Sequence, residues 1–164
     1  MNTLAQTAFP QQAGVNQQQG FTVIELMIVV TIVSILAVIA MPAYVEYATR
    51  SKVSEAMGFM GEAKTSVSEH YYTNNSTWPV GNLKAGLPAP DDYDAYDYIL
   101  KLEVATVDPP TGVITVTLDI PNTPAHEGKL QLVPSTSTGQ IVWTCKPADS
   151  QGLESKYAPA NCRI

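Results

Sequence analysis

Glu25 is the residue whose chemistry most needs explaining. It is the one charge in the run Phe21-Thr22-Val23-Ile24-Glu25-Leu26-Met27-Ile28-Val29-Val30. A charge in hydrocarbon costs about 2.5–3.5 kcal/mol at a helix centre on insertion scales, and less near an end. Such a residue marks a partner. A cut between Gly20 and Phe21 would create one, because the new amino group would lie in the same first helical turn as Glu25. A neighbouring copy could then offer its own amino group across a helix–helix contact. Spacing alone leaves a second reading open, a Glu tolerated at the edge of an ordinary membrane anchor.

Other groups carry weaker signals. Asp91, Asp92, Asp94 and Asp97 are carboxylates of the kind that bind calcium, but their spacing is not that of an EF-hand, and a solvated acidic loop is the preferred reading. His70 and His126 fall in different segments without ligand spacing, which argues against zinc and against a catalytic dyad. No phosphate loop, nucleophile elbow or paired-carboxylate arrangement is present. The expectation is therefore no enzyme, no cofactor and no metal site. Asn74-Asn75-Ser76 and Asn75-Ser76-Thr77 match a short glycosylation pattern. Cys145 and Cys162 allow one bridge, which would imply an oxidising compartment.

Patterning defines the elements that position these groups. Residues 1–20 are uncharged and rich in Gln, and read as a leader or tail. Leu26 to Val45 is twenty residues without a charge. At about 1.5 Å per residue that helix spans about 30 Å, one hydrocarbon core. Thr31, Ser34 and Pro42 interrupt it in ways a membrane helix tolerates. Residues 46–73 continue as an amphipathic helix, with Val53, Ala56, Met57, Met60, Ala63, Val67 and Tyr71 three and four apart. Joined from Phe21 to Thr73, the helix would be about 80 Å long.

Residues 74–97 form a loop long enough to be functional or to carry small elements of its own. Residues 98–145 read as an antiparallel meander. Tyr98, Leu100, Leu102 and Val104 alternate with Ile99, Lys101, Glu103 and Ala105. A turn is expected at Asp108-Pro109-Pro110-Thr111-Gly112. Ile114, Val116, Leu118 and Ile120 make the cleanest strand. Leu130 and Leu132 lead to a turn at 134–139, and Ile141, Trp143 and Cys145 form a last strand face. The amphipathic half of the helix is the one cover large enough for this sheet.

Composition agrees. The 164 residues suit one domain with an appendage, and charged residues are only 15% of the chain, below the roughly 25% of an ordinary soluble domain. The net charge is −6 and no Lys or Arg precedes Arg50, so the chain offers no direct nucleic-acid site.

Gly20 followed by Phe21-Thr22-Val23-Ile24-Glu25-Leu26-Met27-Ile28-Val29-Val30 resembles the class III signal of type IV prepilins. The likeness extends to Pro42, Tyr44, Tyr47, Arg50, Ser51 and the VSEA at 53–56. The segment at 143–163 is similar to the disulfide-bounded end of type IVa pilins. Pseudopilins of type II secretion share the N-terminal motif, and the cysteine pair favours a true pilin. The resemblance implies an α+β type IV pilin fold, a long N-terminal α-helix whose apolar half protrudes, packed on a four-stranded antiparallel β-sheet. It implies a leader, residues 1–20, removed by prepilin peptidase. A membrane and filament-core half, residues 21–45, and an amphipathic half, residues 46–73, come after it. The sheet would run from 98 to 145, and a Cys145–Cys162 disulfide would close the loop 145–162. Phe21 would be N-methylated, Glu25 would recruit the incoming subunit through a neighbour's Phe21 ammonium, and Pro42 would kink the helix. The expected product is a homopolymeric, retractable surface filament for twitching motility, adhesion to host or abiotic surfaces and DNA uptake. Its precursor would reside in the inner membrane and be handled by the pilus assembly machinery. A minor pilin, a type II secretion pseudopilin or a non-polymerising anchored binding module are the alternatives. By composition, Lys146, Pro147, Asp149, Lys156, Tyr157 and Pro159 suit an exposed loop surface.

The chain departs from the family pattern in two places. Type IVa leaders are usually short and basic, whereas this one is twenty residues and uncharged. Ser34 stands where many members have Gly, so the family's loss of helicity before the proline is not implied as strongly here.

Overall fold

The computed structural model describes residues 20–105 and 112–163. One long helix, α1 (Val23–Thr73), leads to a short helix, α2 (Gly81–Lys84), and a 3₁₀ turn at Pro90–Ala95. Four strands come next: β1 (Ile99–Val104), β2 (Ile114–Leu118), β3 (Lys129–Ser137) and β4 (Gln140–Pro147). They pair in the order β1-β2-β3-β4, each antiparallel to its neighbour. The 74–97 segment thus carries small elements of its own. The turn expected at 108–112 lies almost entirely outside the described residues.

The helix packs where the periodicity places it. Thr49, Val53, Ala56, Met60, Ala63 and Val67 are its buried residues, alternately four and three apart. The apolar ones join Leu102, Val104, Ile114, Val116, Leu118, Leu130 and Leu132 in one core. Register lines these side chains up in rows. Val104 faces Ile114, Ile114 faces Leu132, and Leu132 faces Cys145. On the other face of β2, Thr115 and Thr117 are also nearly covered, and Gln131 Nε2 donates to Thr115 Oγ1 at 3.3 Å.

Three local expectations change. In β1, Ile99 is buried and Leu100 exposed, the reverse of simple alternation. Ile99 pairs with Leu118 and Lys101 with Thr117, so Leu100 is the extra residue of a bulge and the faces switch there. Second, residues 134–137 are strand, not turn. The chain reverses at Thr138 and Gly139 alone, with φ of 49° and 82°, the two-residue turn whose twist matches the strands. Pro134 is tolerated because the β2–β3 ladder ends at Ile114–Leu132, before the missing N–H matters. Third, Tyr157 is buried at 3% exposure, with Leu153 and Ala158 beside it in the core. The C-terminal loop is thus partly core, and of the six residues expected at its surface Asp149 and Lys156 are exposed.

The Cys145–Cys162 disulfide is formed, with Cα atoms 4.6 Å apart. Both cysteines are buried, and Arg50 ties the same loop to α1 by donating from Nε and Nη2 to the Lys156 carbonyl at 3.3 and 2.9 Å. Cross-linking residues seventeen apart constrains the unfolded chain by about 3 kcal/mol in the entropy model. Replacing both cysteines with Ala is expected to lower stability by about that amount. Urea unfolding measured by tryptophan fluorescence checks it, and an unshifted midpoint refutes it.

Gly112, at φ +77°, has a structural requirement. A Cβ there would lie 2.6 Å from Cε3 of Trp78.

Tyr98 couples helix to sheet. Burial, then the nearby Glu55 carboxylate, push its phenol up to about 12 from an ordinary 10.0. Burial also raises Tyr93, with Glu62 nearby. In the unfolded chain these phenols ionise near 10, while the folded ones stay neutral, so unfolding releases protons above that pH. The two phenols are therefore expected to lower stability progressively as pH rises between about 10 and 12. Tyr98→Phe should remove its own share of that fall in urea titrations at stepped pH, and an unchanged slope would refute the assignment.

Candidate assembly site at the start of the helix

The first turn of α1 is built by a reciprocal cap. The Thr22 hydroxyl accepts from the Glu25 backbone N–H at 3.2 Å. The Glu25 carboxylate in turn accepts from the Thr22 backbone N–H at 3.0 Å and from its hydroxyl at 2.7 Å. This is the Thr-x-x-Glu box that satisfies the donors a helix start leaves without partners. The charge of Glu25 dominates its reading in sequence, yet Thr22-Val23-Ile24-Glu25 also carries this capping signal, which charge alone does not disclose.

Gly20 and Phe21 precede the helix, and both are exposed. The Phe21 ring is 91% exposed. Phe21, Glu25, Leu26, Ile28 and Val29 line one shallow apolar depression. Gly20, Phe21 and Glu25 thus fall close together at the helix start, as their spacing required. Residues 1–19, which precede them, lie outside the described residues.

From Val23 to Val45 no side chain is buried. The helix α1 is long and apolar enough to cross a membrane. Thr31 and Ser34 donate back to the carbonyls of Met27 and Val30, both at 2.7 Å, which lowers their polar cost in hydrocarbon. Ser34 and Pro42 both lie within α1. Pro42 brings no N–H for the carbonyl four residues earlier, so it is the weak point of this stretch.

Asp92, His126 and His70 make local contacts. Asp92 accepts from the Ala89 N–H at 3.0 Å, closing the 3₁₀ turn. His126 Nδ1 lies 3.1 Å from Asp119 Oδ1, and His70 Nδ1 lies 3.2 Å from the Thr77 carbonyl. Among the described residues no group of three or more His, Cys, Asp or Glu is arranged to hold a metal ion. Asn82 carries no signal in the sequence that would single it out. It is buried at 4% exposure, and its amide donates to the carbonyls of Pro88 and Leu102 and accepts from Val104 N, all at 2.8 Å.

A capped, wholly exposed apolar helix start, in the same helix as a stripe packed on a four-stranded meander, defines a protein that completes its packing with other helices or with lipid. Residues 15–41 match the prokaryotic N-terminal methylation motif, and residues 49–163 match the pilin family of bacterial filament proteins. The chain belongs to the pilin family, and it is a structural pilus subunit. It is similar to the fimbrial protein EcpC of Eikenella corrodens, with 38% identity covering 89% of this chain and 91% of that one. It is similar to the type IV major pilin protein PilE1 of Neisseria gonorrhoeae, with 35% identity covering 89% and 94%. Fimbrial protein Q of Moraxella bovis is 27% identical over 90% of this chain and 99% of its own.

Proposed function

We propose that this chain is the precursor of a major type IV pilin that polymerises into a retractable surface filament for motility and attachment. In this reading prepilin peptidase removes residues 1–20 at the Gly20–Phe21 bond, and Phe21 is N-methylated. The precursor waits in the inner membrane with residues 21–45 in lipid. Residues 46–73 pack on the sheet, and the loop 145–162 belongs to the outward domain. On assembly, Glu25 meets the Phe21 ammonium of a neighbouring subunit, and the apolar helix starts bundle. The observation that carries the reading is the Glu25 carboxylate held one turn from Phe21 at the head of an apolar helix whose side chains are exposed. Repeated through a heterologous contact, such a helix gives an open fibre and not a closed oligomer. The names of the relatives, as major pilin and fimbrial proteins, support the major-subunit assignment.

Intact-mass and N-terminal peptide spectrometry of protein sheared from cells tests it. A mature N-terminus at methylated Phe21, recovered in bulk with the Cys145–Cys162 bond intact, is the expected result. A mature N-terminus at Met1, or one beyond Ala40, sinks the filament reading.

A further inference from the structure

We infer that Tyr44 and Tyr47, with the cations Arg50, Lys52 and Lys156, form a collar that binds the headgroup layer of a lipid bilayer before assembly. The inference rests on the reading of the Leu26–Val45 run as membrane-inserted, and it adds where the bilayer surface falls. Tyr44 and Tyr47 are three residues apart and share a face of α1. Each is 72% exposed, although each ring is largely apolar. A phenol has an apolar body and a polar tip, and it is most stable where hydrocarbon gives way to water. The uncharged run ends at Val45. At about 1.5 Å of rise per residue, both rings lie within about 3 Å of that end along the helix.

The next turn of α1 fits the same boundary. Thr49, two residues past Tyr47, is the first buried residue of the helix, so no spacer separates the collar from the packed stripe. Arg50 is fixed by its two hydrogen bonds to the Lys156 carbonyl, which brings Lys156 of the C-terminal loop to this end of the stripe. Lys52 and Lys156 are exposed. Arg50 and Lys52 are the first cations after the uncharged run; Glu46 precedes them, Glu55 follows one turn on, and Glu154 lies 3.1 Å from Lys156 Nζ. In a chain of net charge −6 with no Lys or Arg before Arg50, cations placed directly beside the aromatic pair complement anionic headgroups.

The test places a reporter in the collar. Full-length chain carrying Tyr47→Trp, and separately Tyr44→Trp, is reconstituted into phosphatidylcholine–phosphatidylglycerol vesicles. The lipid is brominated either near the headgroup or near the chain ends. The signal of the new indole is taken by difference from the parent, which carries Trp78 and Trp143. The new signal should be lost with the shallow bromine and spared by the deep one, and exchanging phosphatidylglycerol for phosphatidylcholine should open it to aqueous iodide. An alkaline carbonate wash reports insertion separately. A chain that stays in the vesicles while iodide alone quenches the new indoles overturns the collar and leaves insertion standing. Quenching strongest with the deep bromine also overturns it. No response to the lipid exchange removes the cations from the inference, and a chain washed off the vesicles overturns collar and insertion together.

Discussion

Cells carrying Glu25→Ala in place of the parent chain are expected to shed no filaments while the protein enters the membrane at parental levels. The expectation comes from two roles that the carboxylate can hold and that substitutions separate. Its local role is the cap with Thr22, and losing an N-terminal cap costs about 0.5–2 kcal/mol. Its proposed assembly role is charge neutralisation of the Phe21 ammonium in a neighbouring subunit. Leaving one partner of a desolvated ion pair alone costs about 3–5 kcal/mol. At about 1.4 kcal/mol per tenfold, that is more than a hundredfold loss at each subunit addition. Thr22→Ala removes the cap and keeps the charge, so it should leave filaments reduced but present. Glu25→Gln keeps hydrogen-bonding shape and removes the charge, so it should resemble Glu25→Ala. Electron microscopy of sheared material, set against immunoblots of the membrane fraction, reads both arms. Normal filament yield from Glu25→Ala would reduce Glu25 to a helix cap, and loss of the membrane-bound form would point to a folding or insertion defect instead.

Much of this molecule was legible because burial leaves a period in the sequence. The buried stripe of α1 repeats at three and four, and in β2 the Ile114, Val116, Leu118 set faces the core as alternation requires. Glu25 was legible for the opposite reason, as a charge that its surroundings penalise. The illegible features depend on partners distant in the chain. The switch of faces at Leu100 comes from its pairing with β2, and nothing in the Ile99-Leu100-Lys101 triplet announces a bulge. Pro134 reads locally as a turn residue, yet it is strand because its neighbour on one side ends at Ile114. Tyr157 sits among polar residues that suggest a surface, but the disulfide and the Arg50 clamp hold its loop down and bury its ring. In each case the deciding contact is tertiary, and a local rule has no access to it.

Asn82 is the extreme of that class, and its replacement is expected to give the largest loss of stability in the sheet domain. In the sequence it is one polar residue in a polar loop. In the structure it lies beside β1, an edge strand, and does what a neighbouring strand would do. Its amide oxygen takes the Val104 N–H and its nitrogen serves the Leu102 carbonyl, while a second N–H bond holds Pro88. Gly81 N donates to the Ala105 carbonyl at 3.4 Å alongside. Together these contacts anchor the loop and cover an edge that would otherwise present open backbone groups to another chain. Asn82→Ala leaves one N–H and two carbonyls without partners, and each buried orphan costs about 1–3 kcal/mol. With partial relaxation the total should be about 3–5 kcal/mol, a large fraction of the stability of a small domain. Asn82→Asp tests the cause, because it keeps the shape and turns the donor into an acceptor facing two carbonyls. It should cost at least as much as Ala, whereas a packing role would make it nearly neutral. Urea unfolding gives the loss. Hydrogen exchange should show the Val104 amide, protected in the parent by Asn82, opening faster in both variants. A shift below about 1 kcal/mol with Val104 still protected would mean that water replaces the amide at the strand edge.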